Sequence, residues 1–158
     1  LAAALRANSL DSKEAPIFFQ CFAPRPLREF RAKSKARLVQ LVSAGTPEER
    51  LLTPEGLKEI ASYADGVGPS YSLVIPQGET LGTATSLVAD AHTAGLAIHP
   101  WTVRAENRFL PKSLQSSADP AAHGDVGALL AALYASGVDG LFSDFPGLAV
   151  QARDKAFA

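Results

Sequence analysis

Apolar residues in this chain fall into short runs and helical stripes that alternate along its length. Ile17-Phe-Phe-Gln-Cys-Phe22 is an almost unbroken apolar run between Pro16 and Pro24, the pattern of a strand buried on both faces of a parallel sheet. A helix is predicted from about Pro26 to Lys33, where Leu27 and Phe30 stand three apart. Arg37 to Val42 reads as a second strand. Thr53-Pro-Glu55 opens the next helix, with threonine as N-cap and proline in the first turn, and Leu57, Ile60, Ala61 and Ala64 form its apolar stripe. Asp65-Gly-Val-Gly-Pro69 ends that helix and leaves room for only a short third strand. Its glycine pair, Gly66 and Gly68, reads as a tight turn rather than a phosphate cradle.

The second half repeats the alternation. Tyr71 to Gly82 is a loop with a central apolar patch, followed by a helix marked by Ala84, Leu87, Val88 and Ala91 and closed by Gly95. Leu96 to Val103 is the fourth strand. Arg104 to Gly124 is the longest irregular stretch, rich in Pro, Ser, Asn and Asp, and loops of that length are functional or disordered. Asp125 suits the N-cap of a helix whose core face is Val126, Leu129, Leu130 and Leu133. Val138 to Phe145 is the fifth strand, and Pro146 to Lys155 a closing helix.

Strands alternating with helices imply a parallel sheet, because a right-handed crossover through each helix returns the chain to the same direction. Five strands do not close a barrel, and a (β/α)8 barrel takes about 250 residues. With 158 residues, the expected fold is therefore α/β, a partial TIM barrel in one domain with about three strands expected upstream. Two further features agree with that expectation. Leu1 to Asn8 resembles the tail of a helix lacking its start, and the chain has no methionine, as expected of a processed protein or a piece of a longer one.

Charge narrows the partners. With 15 basic and 16 acidic residues and a formal net charge of -1, no global field favours nucleic acid or an anionic surface. The densest basic run, Arg25 to Arg37, has six Lys or Arg and is expected to be a solvated helix face. The single cysteine, Cys21, has no partner for an internal disulfide and reads as a small hydrophobe, so it does not identify a redox compartment. No apolar run reaches the roughly 18 residues that would span a bilayer.

A barrel gathers its reactive groups where strands end, which singles out Gln20, Phe22, Gln40, Trp101 to Arg104 and Asp144. Period-two alternation places Phe18, Gln20 and Phe22 on one face, and Ala97, His99 and Trp101 on one face. Those side chains either line a pocket or serve the interior, the glutamines satisfying backbone and His99 as a bonded core histidine. Asp144 either orients a ligand or holds the final loop. Arg104 and Arg108 flank the same region and meet either a phosphate or water. His92 and His123 read as surface residues; no His-Glu-x-x-His, Cys pair, Gly-x-Ser-x-Gly or Walker loop is present.

Five blocks in order, Gln20-Cys-Phe22, Leu38-Val-Gln-Leu-Val42, Tyr63-Ala-Asp-Gly-Val-Gly-Pro69, His99-Pro-Trp-Thr-Val-Arg104 and Gly140-Leu-Phe-Ser-Asp-Phe-Pro146, resemble strands four to eight of the glycerophosphodiester phosphodiesterases, especially the bacterial periplasmic type. The resemblance implies a TIM-barrel hydrolase that cleaves glycerophosphodiesters to glycerol 3-phosphate and an alcohol with a divalent cation, calcium above all. The sequence identifies no location; a protein like the bacterial members of the family would be periplasmic or secreted. The family carries its acid/base and cation chemistry on His-Arg-Gly, Glu-x-Asp and Glu-x-Lys motifs of the first three strands, none of which occurs here. No catalytic or metal-binding residue is therefore assigned in this chain, and the missing N-terminal half of the barrel is the expected partner. The substrate pocket implied here consists of Gln20, Phe22, Trp101, Arg104 and Asp144. The family has acids where this chain has Ala23 and Gly147, and both positions are expected to have lost helix caps. The alternative is a noncatalytic relative serving as a binding or scaffold module.

Overall fold

The computed structural model describes all 158 residues. In chain order the elements are α1 (Ala2–Ala7), β1 (Phe18–Cys21), α2 (Pro24–Arg31), β2 (Arg37–Val42), α3 (Pro54–Ala61), β3 (Gly66–Pro69), α4 (Leu87–Thr93), β4 (Ala97–Ile98), α5 (Val126–Ala135) and α6 (Pro146–Ala156). They fall into two compact units, Leu1–Gly68 with Ala89–Ile98, and Pro69–Val88 with His99–Ala158.

The first unit is built on a parallel sheet of order β1-β2-β3-β4, with Phe18 opposite Arg37 and Gly66 opposite Ala97. Consecutive strands being neighbours is what helical crossovers of one hand produce. β2 is the centre: Leu38, Val39, Gln40, Leu41 and Val42 are all buried. β3 corrects the reading of Gly66 and Gly68 as a turn, for these residues are the strand itself. A Cβ on Gly66 would lie 2.9 Å from the Ala97 carbonyl oxygen, so the close approach of β4 requires glycine there.

β1 also departs from expectation. It stands at the sheet edge with Phe18 and Gln20 exposed, not buried on both faces. Helix α2 starts two residues earlier than its apolar spacing suggested, since Pro24 takes the first-turn position and Ala23 the N-cap with no side-chain bond. α3 follows the prediction: Thr53 Oγ1 accepts from the Gly56 amide at 3.1 Å.

The basic run is not a simple solvated face. Arg28 pairs with Glu59 at 2.9 Å and stacks on Tyr63. Arg31 bonds Asp65 and, at 3.1 Å, the Tyr63 carbonyl, while Arg37 reaches the Ala15 carbonyl at 2.8 Å and lies over Phe18. These arginines pin α2 and the incoming chain to the sheet. Burial opposes ionisation of Asp65, but the Lys13 bond, the Leu38 amide and the Arg31 charge outweigh it and hold its pKa below the usual carboxylate value.

In the second unit α5 packs on α6, burying Leu129, Leu130, Leu133 and Ala149, and the Tyr134 hydroxyl donates to the Ala149 carbonyl at 3.0 Å. Asp125 caps α5 as expected, accepting from the Ala128 amide at 3.1 Å. The predicted fifth strand is not a regular strand. Residues 138–145 run beside 100–103 through separate bonds, Phe142 N–H to the Pro100 carbonyl at 3.0 Å and Val103 N–H to the Phe142 carbonyl at 2.8 Å, with one bridge between Val103 and Ser143. Pro100 lacks an N–H and interrupts the ladder, which also shortens the fourth strand to Ala97–Ile98. α6 has Phe145 as its N-cap, so Gly147 lies within the first turn and is not a lost cap.

Candidate functional site

The long stretch from Arg104 to Gly124 is ordered by one buried side chain. Asn107 is 1% exposed. Its Nδ2 donates to the carbonyls of Asp119 at 2.8 Å and Ser117 at 3.0 Å, and its Oδ1 accepts from the Ser116 amide at 3.0 Å. Gln115 Nε2 completes the knot by donating to the Asn107 and Leu110 carbonyls at 3.0 and 2.9 Å. Gly124 seals it, because a Cβ there would fall 2.3 Å from the Leu114 carbonyl oxygen. An amide with two donors and an acceptor is the side chain that satisfies this many backbone groups at once.

That knot presents Arg104, Glu106, Arg108 and Phe109 together. The Arg104 guanidinium lies 4.8 Å from the Phe109 ring centre, and Arg108 lies over the same ring at 4.8 Å. The Tyr71 hydroxyl donates to the Phe109 carbonyl at 2.8 Å, fixing the backbone under the ring. Burial raises the Tyr71 pKa, with Gln77 and the Arg104 charge offsetting part of the rise. Arg104 Nε is 2.6 Å from Asp144 Oδ2; the two meet as an ion pair without hydrogen-bond alignment at Nε. Asp144 is held for this contact by its own amide bond to the Val103 carbonyl at 3.1 Å and by Ser143 Oγ donating to the same carbonyl at 3.0 Å.

Of the expected pocket residues, the second unit thus brings Arg104 and Asp144 into contact. Trp101 is half-buried and bound through its backbone, its N–H to the Pro69 carbonyl at 3.1 Å and its carbonyl to the Tyr71 amide at 2.9 Å. His99 is half-buried as well, its ring lying against Gly140, where a Cβ would sit 3.2 Å from His99 Cδ2. His123 is exposed and meets Phe145 edge-on at 4.8 Å.

Gln20 and Phe22 belong to the first unit, where both are exposed, Phe22 by 50%. Gln40 takes the interior role: it is fully buried, its Nε2 donates to the Phe22 and Leu41 carbonyls at 2.7 and 2.9 Å, and its Oε1 accepts from Tyr63 at 2.9 Å. The expectation that its side chain belonged to either class is resolved in favour of structure. Sequence reasoning overlooked Asn107, Phe109 and Tyr71. No spacing marks the first two, because Asn107–Phe109 forms a short helical turn within an irregular stretch.

A model of the glycerophosphoryl diester phosphodiesterase family matches residues 2–148. Glycerophosphodiester phosphodiesterase GDPD6 of Arabidopsis thaliana is 34% identical over 148 residues, 88% of this chain and 38% of that protein. The glycerophosphodiester phosphodiesterase of Haemophilus influenzae is 30% identical over 105 residues, 64% of this chain and 26% of that protein. The crystal structure of a glycerophosphodiester phosphodiesterase from Parabacteroides distasonis superposes with a TM-score of 0.60 at 19% identity, over 98% of this chain and 49% of that one; this likeness concerns the fold. The chain spans no more than about half the length of these relatives. With the family's pattern matched across nearly all of its residues, the chain belongs to the glycerophosphoryl diester phosphodiesterase family.

Proposed function

We propose that this chain is the C-terminal part of a phosphoric diester hydrolase that cleaves glycerophosphodiesters to glycerol 3-phosphate and an alcohol. In this reading it corresponds to strands four to eight of the barrel, and the catalytic and cation-binding residues lie in an N-terminal half. The match over residues 2–148 carries the reading, and the share of the relatives' length that the chain spans supports the division.

Gln20 and Phe22 in the first unit, and Trp101, Arg104 and Asp144 in the second, are the proposed substrate-facing residues. A phosphodiester carries one negative charge, and a guanidinium is the side chain best matched to its oxygens. No cluster of three or more acids, histidines or cysteines in this chain forms a cage for the expected calcium ion. Asp144 Oδ2 is already met by Arg104 at 2.6 Å, and Glu106 faces Arg108 at 3.6 Å, so a dication at either carboxylate would sit beside a fixed positive charge.

The test is release of glycerol 3-phosphate from glycerophosphocholine, followed through a coupled dehydrogenase with calcium present. The chain by itself is expected to show none, and the protein including its upstream residues is expected to turn over and to stop when the cation is chelated. Turnover by the isolated chain would overturn the assignment of catalysis to the N-terminal half.

A further inference from the structure

We propose that Asp144 and Phe109 are positioning residues that hold Arg104 as a preset fork for the phosphoryl oxygens of the substrate and of glycerol 3-phosphate. The proposal rests on the hydrolase reading and adds roles to it.

Arg104 is constrained on two sides and available on a third. Its guanidinium carbon lies 4.8 Å from the Phe109 ring centre, and Asp144 Oδ2 is 2.6 Å from Nε in an ion pair without hydrogen-bond alignment. The side chain is 40% exposed, which leaves its guanidinium within reach of a ligand. An arginine whose charge is paired on one side and rests against a ring on another has fewer rotamers to lose when its fork receives two oxygens of a phosphate. Both supports are themselves anchored. Tyr71 Oη bonds the Phe109 carbonyl at 2.8 Å, and Asp144 is tied through its amide to the Val103 carbonyl at 3.1 Å.

The geometry also explains the carboxylate beside this arginine. Asp144 pairs with Arg104 at 2.6 Å, and a half-exposed ion pair contributes little to stability. Its effect is on orientation: without it, the long arginine side chain spreads over many rotamers and must be ordered when ligand binds.

The experiment uses this chain joined to the N-terminal half that the hydrolase reading assigns to it. Binding of glycerol 3-phosphate is measured by calorimetry, and kcat and KM for glycerophosphocholine by the coupled assay, for wild type, Arg104→Met, Asp144→Asn, Phe109→Leu and the Arg104→Met/Asp144→Asn double variant. Arg104→Met is expected to weaken binding by about 10- to 100-fold, the loss of charged hydrogen bonds. Asp144→Asn and Phe109→Leu are expected to raise Kd and KM by about three- to tenfold with kcat changed less, a smaller effect because the fork remains but is no longer preset. The Asp144→Asn effect should vanish when Arg104 is already Met, a coupling that a merely structural role would not produce. Equal effects of Asp144→Asn in both backgrounds, wild-type binding by that variant, or no binding of glycerol 3-phosphate by the wild type would overturn the proposal. Arg104-dependent, Asp144-coupled binding by a protein that hydrolyses nothing would sustain the fork and reject the hydrolase reading; turnover without that coupling would do the reverse.

Discussion

Replacing Asn107 by alanine should loosen the loop that carries Arg104 and leave the helices behind it intact. The side chain makes three bonds of 2.8 to 3.0 Å to backbone groups of residues 116, 117 and 119. At about 0.5–1.5 kcal/mol net for each, their loss sums to roughly 1.5–4.5 kcal/mol. The lower end applies, because residues 116–121 are exposed and water can reach the freed groups, giving about 2 kcal/mol. That is about a 30-fold change in an opening equilibrium. Native-state hydrogen exchange reads it directly: the amides of Asn107 and Gly124, bonded to the Ala122 and Ala105 carbonyls at 2.8 and 2.9 Å, should lose about 30-fold of their protection. Amides in the middle of α5 should keep theirs. Gly124→Ala should act on the same amides, since its Cβ would stand 2.3 Å from a carbonyl oxygen. Unchanged exchange in Asn107→Ala would refute the claim that this side chain organises the loop.

Three other outcomes follow from the structure. Ala23→Asp places an acceptor at the uncapped N-terminus of α2, where the backbone is already extended at φ -84° and ψ 127°, and should raise stability by about 0.5–1 kcal/mol in urea denaturation. Gly66→Val should destabilise more than Gly147→Ala, because a Cβ meets the Ala97 carbonyl oxygen at 2.9 Å in the first case and nothing within 4 Å in the second; paired thermal melts decide it. Burial raises the Tyr63 pKa to about 12, so the folded state favours the neutral phenol. Its contribution should be complete below the unfolded value of about 10 and fall away as pH rises from there towards about 12. Difference absorbance against pH should show Tyr63 ionising well after a free tyrosine, and a value of about 10 would contradict the burial.

Where the signal was local, the sequence disclosed the structure closely. β2 has the predicted bounds because Arg37 to Val42 is the central strand and its apolar pattern meets sheet on both sides. Thr53 and Asp125 cap the helices they were expected to cap, since a cap is written within four residues. Expectations failed where the outcome depended on distant chain. The burial of β1 required a covering layer that its own apolar run could not report. The fifth strand required a complete ladder, and Pro100 on the neighbouring segment withheld one donor. Arg104 and Asp144 were both singled out, but their pairing joins residues 40 apart and no spacing encodes it. Asn107 was overlooked because a lone asparagine in a polar loop looks like turn chemistry; its burial is visible only once the loop has closed around it.

The most direct measurement of the central claim is to read the source transcript upstream of the codon for Leu1. The account predicts an open frame encoding His-Arg-Gly, then Glu-x-Asp, then Glu-x-Lys, which would supply the catalytic and cation-binding groups proposed for the N-terminal half. A frame lacking those motifs would contradict it and leave the chain as a noncatalytic member of its family.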